Sequence, residues 1–392
     1  MQHLRCRQFA RPCSAGLFVP ETGQRHDVAG DGGDFGARSV WGWSRVPGRW
    51  HDTHRKKDTP MRIALFGTLL VAAALSLSGC GRSRSPAHGL TRIRFVTDWK
   101  AEPEQGGFYE ALAEGLYRKH GLAVTIIEGG PSVNVPQMLA GGAADFGIGS
   151  NAFIPLNIVR AGVPLRAVMA IFQKDPQVLI THPRPDLKRL ADMKGKPIMV
   201  SDATVASFWP WLKAKYGFSD TQIRKYTFNL APFLADPSAI QEGYVTSEPY
   251  TIEREGHFKP QVFLLADHGY PGYANMVLVP QSWIDRHPQA VQAFVDATRE
   301  GWHDYLYGNP APANALIKKN NPEMSNAMIA QSIAKMKSYG LVMSGAARTE
   351  GIGAMTNRRW RKFYDTMRAA GVYAKGLNYR KAYTLRFVKA AH

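Results

Sequence analysis

The sequence predicts an α/β fold of two lobes, each a mostly parallel sheet flanked by helices, with a helical C-terminal region. Short strand patterns alternate with amphipathic helix patterns from about residue 90 to about residue 280, which is typical of parallel sheets joined by helices. Beyond residue 282 only helical patterns remain. The chain has 392 residues, 45% of them hydrophobic and 20% charged. These are globular values, and the length suffices for two lobes of ordinary domain size.

The first lobe is predicted from patterns that follow one another along the chain. Residues 93–96 alternate apolar and polar side chains, as strands do. Apolar residues in 108–120 recur at helical spacing until Gly121 ends the pattern. The same reasoning predicts strands at 123–127, 146–149, 165–172 and 178–181, and helices at 133–139 and from Asn151 to about residue 160.

The second lobe begins after a polar crossover at 187–195. Its predicted strands are 196–200, 226–228, 244–246 and 262–265, and its helices are 207–216 and 251–255. A strand at 276–280 leads back, and helices follow at 289–305, 311–319, 325–339 and 355–370. We therefore expect lobe one at 90–182 plus 278–392 and lobe two at 183–277. Two crossings between lobes form a hinge, and the cleft between lobes is a usual ligand site.

An apolar run near the N-terminus indicates export. Arg62 precedes apolar residues 63–75, and small residues lead to Cys80. The run is shorter than the roughly 20 residues that span a bilayer, and its order of charge, apolar core and small residues is that of a signal peptide. The segment Leu77–Cys80 resembles the lipobox of bacterial lipoproteins. We expect a signal peptide at 61–79, lipid attachment at Cys80 and a tether at 80–89, the alternative being a plain signal peptide with a chance cysteine.

Residues 1–60 precede this predicted signal and show no apolar periodicity. We interpret Met61 as the start of the protein and 1–60 as upstream sequence. The alternative is a disordered extension, which would leave 63–77 as a short signal anchor.

Charge and cysteine content exclude several functions. The net charge is +18, but the basic residues are spread along the chain, and clusters such as 358–362 are typical of solvated helix faces, so we predict no nucleic-acid partner. The only cysteines are Cys6, Cys13 and Cys80, which removes disulfides and cysteine chemistry from residues 81–392. The histidines lack the short spacing of metal ligands. We predict neither metal nor cofactor.

Several segments resemble substrate-binding proteins of bacterial ABC importers, of the nitrate, sulfonate and taurine type and the thiamine-pyrimidine-precursor type. Residues 141–147 resemble the loop before the ligand-facing strand, and 243–250 match a turn followed by Glu-Pro-aromatic. The opening of the family is matched by Asp98-Trp99, by 105–111, by Glu114-Gly115-Leu116-Tyr117 and by Gly121-Leu122.

This resemblance implies a type II periplasmic-binding-protein fold and a monomer that closes on a small ligand and delivers it to ABC permease and ATPase subunits. With the predicted anchor, the protein would face the periplasm from a membrane and would not be an enzyme. Two alternatives remain. One is a thiamine-pyrimidine synthase, whose family uses a Cys-rich cluster that this sequence lacks. The other is a solute sensor that feeds a signalling partner.

Candidate ligand contacts in lobe one follow predicted strands, whose carboxyl ends face the ligand crevice in open α/β sheets. Trp99 could stack on a flat ligand or belong to the core. Gln105 lies in the loop that follows. Gly106 and Gly107 would present backbone N–H groups at a helix start or form an ordinary turn.

Four further contacts are predicted in helix-start segments. Ser150 and Asn151 are helix caps that could also touch ligand. In lobe two, Thr204 and Ser207 lie between a strand and a helix.

Glu248 precedes Pro249, which favours an extended conformation and would direct the carboxylate to the cleft, unless Glu248 forms an ion pair between lobes. A carboxylate accepts hydrogen bonds from amino or ring N–H groups. We therefore expect a small planar heterocycle such as a thiamine-pyrimidine precursor, with an alkylsulfonate, nitrate or taurine-like anion as the alternative. Tyr250 is a weaker candidate contact.

Overall fold

The computed structural model describes residues 89–388. The predicted signal peptide, Cys80 and nearly all of the predicted tether lie outside the described residues. Within the described part, no helix is long and apolar enough to cross a membrane.

Ten strands form two five-stranded sheets that confirm the predicted α/β fold. The first sheet has the order β2-β1-β3-β10-β4 and the second the order β7-β6-β8-β5-β9. In each sheet one strand, β10 or β5, runs antiparallel to its neighbours, and the other four share one direction. The strands are β1 Thr91–Val96, β2 Leu122–Ile127, β3 Phe146–Asn151, β4 Leu165–Phe172, β5 Gln177–Thr181, β6 Ile198–Val200, β7 Ile223–Lys225, β8 Ile240–Tyr244, β9 Gln261–Leu264 and β10 Ala274–Pro280.

Helices connect the strands and make up most of the chain after β10. They are α1 Gly106–Ala113, α2 Leu116–Lys119, α3 Val135–Ala140, α4 Phe153–Arg160, α5 Asp202–Val205, α6 Trp209–Tyr216, α7 Ala231–Ala235, α8 Glu248–Gly256, α9 Gln281–Arg286, α10 Pro288–Tyr307, α11 Ala311–Asn320, α12 Asn326–Ser338, α13 Ala347–Glu350 and α14 Asn357–Ala369. Short 3-10 helices span Pro103–Gln105, Leu190–Met193, Asp220–Gln222 and Tyr379–Ala382.

Sheet membership differs from the predicted boundaries between lobes. Strand β5 was expected in lobe one, but it pairs with β8 and β9 in the second sheet. The chain therefore leaves the first sheet at 173–176 and returns between β9 and β10, at 265–273. The predicted polar crossover at 187–195 lies between β5 and β6, which both belong to the second sheet. The apolar pattern of a buried strand gives no information about which sheet it joins, and this explains the difference.

Three local predictions also differ from the structure. The predicted helix 108–120 is two helices, because Gly115 takes a left-handed conformation with φ of 67°. The strand predicted at 226–228 lies earlier, as β7, and β8 ends at Tyr244 rather than beginning there. Helices α5, α7, α9 and α13 were not predicted, since each has only four to six residues and shows little periodicity.

Helix α1 packs against α10 at a distance that only glycine permits. A Cβ on Gly107 would overlap the Trp302 ring, and a Cβ on Gly106 would overlap the Tyr305 ring. From the other side, a Cβ on Gly301 would collide with the backbone carbonyl of Gly107. The two helices therefore approach backbone to backbone, which fixes the position of the α1 N-terminus.

We expect Gly301→Ala to lower the free energy of unfolding by about 1–3 kcal/mol, the usual cost of overpacking a core, although alanine favours a helix interior by about 1 kcal/mol over glycine. Urea denaturation measures the change. Gly376→Ala is the matched control, because a Cβ there meets no atom within 4 Å. Equal stability of the two variants would contradict the proposed role of the contact.

Candidate ligand-binding site

A cavity of about 370 Å³ lies where strand ends of the two sheets face each other. Its walls include Asp98 and Trp99 after β1, Ser150 and Asn151 at the end of β3, and Ser201 after β6. These are carboxyl ends of strands, the edge at which open α/β sheets bind ligands. The volume lies within the range of small-molecule sites.

Aromatic side chains from both sheets face this cavity. The rings of Trp99 and Phe228 lie 5.2 Å apart between centroids, and Tyr226 lies 5.3 Å from Phe228. Phe228 is 53% exposed and has a φ of 62°, which is unfavourable for a bulky residue. An exposed aromatic in a strained conformation beside a cavity is a feature that folding alone does not favour.

The predicted contacts Gln105, Ser150 and Asn151 line the cavity. Asn151 also accepts a hydrogen bond from the Phe153 N–H at 3.1 Å, so it stabilises the start of α4 as expected. The Gln105 side-chain oxygen accepts from the Glu102 N–H at 3.0 Å, which leaves its amide nitrogen for other partners.

On the side of the second sheet, the cavity wall includes Thr204 on α5, Ser207 between α5 and α6, and Glu248 at the start of α8. One Glu248 oxygen, Oε2, accepts hydrogen bonds from the Tyr244 N–H at 2.7 Å and from the Ser247 hydroxyl at 2.6 Å. Glu248 is not in an extended segment as predicted but is the first residue of α8, where the following proline lacks only an N–H that a helix start does not use. Its other oxygen is available to a ligand.

Gly106, Gly107 and Tyr250 do not line the cavity. The two glycines are buried against α10, and the Gly106 N–H donates to the Pro103 carbonyl because the 3-10 helix continues directly into α1. The predicted display of free N–H groups toward a ligand is therefore not present at Gly106. Tyr250 lines a smaller neighbouring recess, and its hydroxyl accepts from Arg254 at 3.2 Å.

The carboxylates Asp98, Glu102, Glu104 and Glu242 also line the cavity, and sequence reasoning did not select them. Glu242 accepts a hydrogen bond from the Ser201 N–H at 2.9 Å and another from the Thr204 hydroxyl. It thereby positions the short helix α5. The three other carboxylates fall within the eight positions that follow the first strand, a density that was visible in the sequence.

Several acceptors in the wall have no partner among the described residues. They are Glu104 Oε1, Gln177 Oε1 and Asn275 Oδ1. Glu104 is 5% exposed and Asn275 is 7% exposed. An unsatisfied buried acceptor is unfavourable, so these atoms indicate where a ligand with hydrogen-bond donors would bind.

Burial raises the pKa of each of the five carboxyl groups in the wall. For Glu102 the pKa is raised further by the charges of Glu104, Asp98 and Glu248. Burial is also the largest cause at Glu104 and raises its pKa to about 7. No lysine or arginine of the described residues lines the cavity. Within the same residues, no group of three or more His, Asp or Glu side chains is arranged to hold a metal ion.

Comparison with known proteins identifies the family. A family model described as NMT1/THI5 like matches residues 102–313, more than half of the chain. The chain belongs to the NMT1/THI5-like family. The predicted resemblance to importer binding proteins of the nitrate, sulfonate and thiamine-pyrimidine types is thereby confirmed.

Individual relatives of this NMT1/THI5-like chain differ in their described roles. It is 26% identical over 293 residues to the riboflavin-binding protein RibY of Chloroflexus aurantiacus, covering 72% of this chain and 81% of that protein. It is 24% identical over 229 residues to the 4-amino-5-hydroxymethyl-2-methylpyrimidine phosphate synthase of Schizosaccharomyces pombe, covering 55% and 66%. Binding proteins and an enzyme thus both occur among its relatives.

The fold of this family member matches that of solved periplasmic binding proteins. The periplasmic aliphatic sulphonate binding protein SsuA from Escherichia coli superposes with a TM-score of 0.58 at 14% identity, covering 74% of this chain and 91% of that chain. At this identity the match establishes the fold, which is that of the solute-binding proteins of ABC importers.

The raised pKa of Glu104 predicts a loss of stability with rising pH. The folded protein favours the neutral acid, so this stabilisation is complete below the ordinary pKa of 4.5 and is lost as the pH rises through about 7. We expect the free energy of unfolding without ligand to fall between about pH 5 and pH 7.5. The Glu104 contribution has an upper limit of about 3.5 kcal/mol at about 1.4 kcal/mol per pKa unit.

Urea denaturation across this pH range tests the prediction. Burial also raises the pKa of Glu110 and of Asp175 to about 7, so Glu104→Gln should reduce the fall without abolishing it. Glu253→Gln, on the exposed face of α8, is the control and should leave the profile unchanged. An identical pH profile for Glu104→Gln and the unmodified protein would contradict the assignment.

Proposed function

We propose that this protein is the solute-binding component of an ABC importer and that it binds a small planar heterocycle with hydrogen-bond donors, such as a thiamine-pyrimidine precursor. The observation that carries the proposal is the cavity between the two sheets, whose wall combines aromatic rings with carboxylate and amide acceptors. Ligand binding there would bring the two sheets together, and the closed form would deliver the ligand to permease and ATPase subunits.

The wall chemistry supports a ligand with N–H donors. Trp99 and Phe228 offer ring faces on which a flat ligand could stack. The free oxygen of Glu248 and the unpartnered oxygens of Gln177 and Asn275 offer acceptors at different points of the wall. An amino-substituted ring presents a flat face that can stack on the aromatic side chains and N–H donors at its edge that can bind to these acceptors.

The same wall weighs against a sulfonate, nitrate or similar anion. A bare anion needs cationic side chains or free backbone N–H groups. The described residues place five carboxylates and no lysine or arginine around the cavity. At the start of α1 the Gly106 N–H is already bonded to Pro103. The similarity to a sulfonate-binding protein supports the fold and does not extend to this ligand.

Binding without catalysis is the role we propose. One relative is named as a synthase, so catalysis in this cavity is the alternative role. Among the described residues no histidine or cysteine lines the cavity, and these are frequent proton-transfer and nucleophilic groups. We therefore assign the carboxyl groups of the wall to ligand binding and not to catalysis.

The identity of the bound molecule is the first test. Mass spectrometry of whatever small molecule is released on denaturing the purified full chain should show an amino-substituted heterocycle. A released sulfonate or other anion would contradict the proposed ligand class. If the protein is purified empty, isothermal titration with 4-amino-5-hydroxymethyl-2-methylpyrimidine, riboflavin and ethanesulfonate makes the same distinction.

We expect Glu248→Gln to weaken binding of the heterocycle by about 1.5–3 kcal/mol, the scale of a hydrogen bond to a charged group. Glutamine retains an oxygen for the Tyr244 and Ser247 donors, so the start of α8 should be preserved. Titration calorimetry gives the change in affinity, with the exposed Glu253→Gln as control. Unchanged affinity would remove Glu248 from the ligand contacts.

Membrane attachment through Cys80 belongs to the same proposal. A lipid anchor would raise the local concentration of the binding protein at its transporter. Cys80→Ser should move the protein from the membrane fraction to the soluble periplasmic fraction, as measured by fractionation and immunoblotting. Ser85→Ala, in the predicted tether, is the control and should leave it in membranes. A Cys80→Ser protein that stays with membranes would contradict lipid anchoring.

A further inference from the structure

The distribution of charge sets the cavity apart from the rest of the protein. The chain carries 49 lysines and arginines against 31 aspartates and glutamates. Around the cavity the balance is reversed, because five carboxylates and no lysine or arginine of the described residues line it. A basic protein thus concentrates acidic side chains at the place where a ligand would bind.

These carboxyl groups have no cationic partner among the described residues. No ion pair of the described residues includes Asp98, Glu102, Glu104, Glu242 or Glu248. The two carboxylates of the second sheet receive hydrogen bonds from backbone and hydroxyl donors.

The hydrogen bonds to the acidic segment of lobe one come from neutral donors, from Ser150 and Gln105 to Asp98 and from Gln105 to Glu102. Glu104 is nine-tenths buried, lines the cavity and has an oxygen with no partner among the described residues. Asn275 donates to the Glu104 carbonyl and leaves its own side-chain oxygen, also nine-tenths buried, without a partner at the same wall. Two buried acceptors, one from the 3-10 helix Pro103–Gln105 and one from β10, therefore belong to residues of the same cavity wall.

A metal ion does not account for the cluster. Within the described residues the acidic side chains are not arranged as a metal-binding group. The wall also contains Trp99, Tyr226 and Phe228, and ring faces attract organic cations rather than hard metal ions. Negative charge together with aromatic faces is the combination by which proteins bind positively charged nitrogen compounds.

We propose that the ligand is an organic cation, a planar heterocycle with a protonated or alkylated nitrogen, whose positive charge lies against Asp98, Glu102 and Glu104. The proposal rests on the solute-binding function proposed above and adds the charge of the solute. A buried carboxylate without a counter-ion is unfavourable. The ligand would supply the missing counter-charge, so affinity and selectivity arise from the same interaction.

Binding of an organic cation should also change the protonation of Glu102 and Glu104. The titratable groups near Glu102 and Glu104 are Asp98 on their own segment and, on the elements packed against it, Tyr109 on α1, Tyr244 at the end of β8, Glu248 on α8 and Tyr305 on α10. The part of α12 beside them contributes uncharged side chains, Met328, Gln331 and Ser332. A cation favours the ionised carboxylates, so its binding near pH 6.5 should release protons.

A matched pair of probes tests the charge. We would titrate the full chain with 4-amino-2-methylpyrimidine and with its N-methyl pyrimidinium salt at about pH 8, where the first is neutral. The cation should bind at least tenfold more tightly. The double variant Glu102→Gln/Glu104→Gln should lose at least tenfold in affinity for the cation and less than threefold for the neutral pyrimidine. Glu110→Gln, a buried carboxyl outside the cavity, is the matched control and should leave both affinities unchanged.

The outcomes separate the two proposals. Preferential binding of the neutral pyrimidine, or an equal loss for both probes in the double variant, would overturn the cation and leave the solute-binding function intact. Absence of binding by both pyrimidines and by riboflavin would count against both proposals. Titration of the cation near pH 6.5 in two buffers of different ionisation enthalpy measures proton release without any substitution. Release of protons supports the cation, and uptake overturns it.

Discussion

The approach of α1 to α10 at glycine distance is the contact on which the cavity depends. With Gly107 and Gly301 in contact, α1 has one position relative to the C-terminal helices. The 3-10 helix Pro103–Gln105 runs into α1 without a break, so the acidic segment inherits that position. Two side-chain amides strengthen the arrangement, because Asn321 donates to the Ala101 carbonyl at 2.9 Å and Asn275 donates to the Glu104 carbonyl. The cavity is therefore preorganised on one side by helix packing.

That rigidity explains how acidic side chains without a cationic partner among the described residues persist in the cavity. A mobile segment would turn Glu102 and Glu104 toward solvent, where their charges are well hydrated. A segment fixed by helix packing keeps these side chains in the cavity wall, and their burial raises the pKa values of both carboxyl groups. Stability and binding are opposed here, as is common at functional sites. A ligand that satisfies these groups stabilises the folded state through binding.

Sequence reasoning found the fold more readily than the site. Strands such as β1 and β4 and the long helix α10 have clear periodicity, so they could be predicted close to their observed bounds. The pairing of β5 with the second sheet could not be predicted, because strand pairing depends on contacts distant in sequence. Trp99, which follows β1, and Ser150, at the end of β3, line the cavity, and their contact with a ligand stays a prediction. Gly106 and Gly107 were assigned to ligand binding because a glycine pair at a helix start can present backbone N–H groups to a ligand. Such a pair suits close helix packing equally well, and only the position of α10 distinguishes the two. Glu242 lies within a strand, where a carboxylate gives no local signal of its partner.

Phe228 lies in contact with Trp99 at the cavity wall, with half of its surface exposed. All three cysteines precede residue 81, so residues 81–392 contain no thiol. A single cysteine introduced in place of Phe228 would accept an environment-sensitive fluorophore at that one position in this region. The protein would then report occupancy of its own cavity as an optical signal, and solutes of any chemical class could be screened in solution by the same fluorescence change.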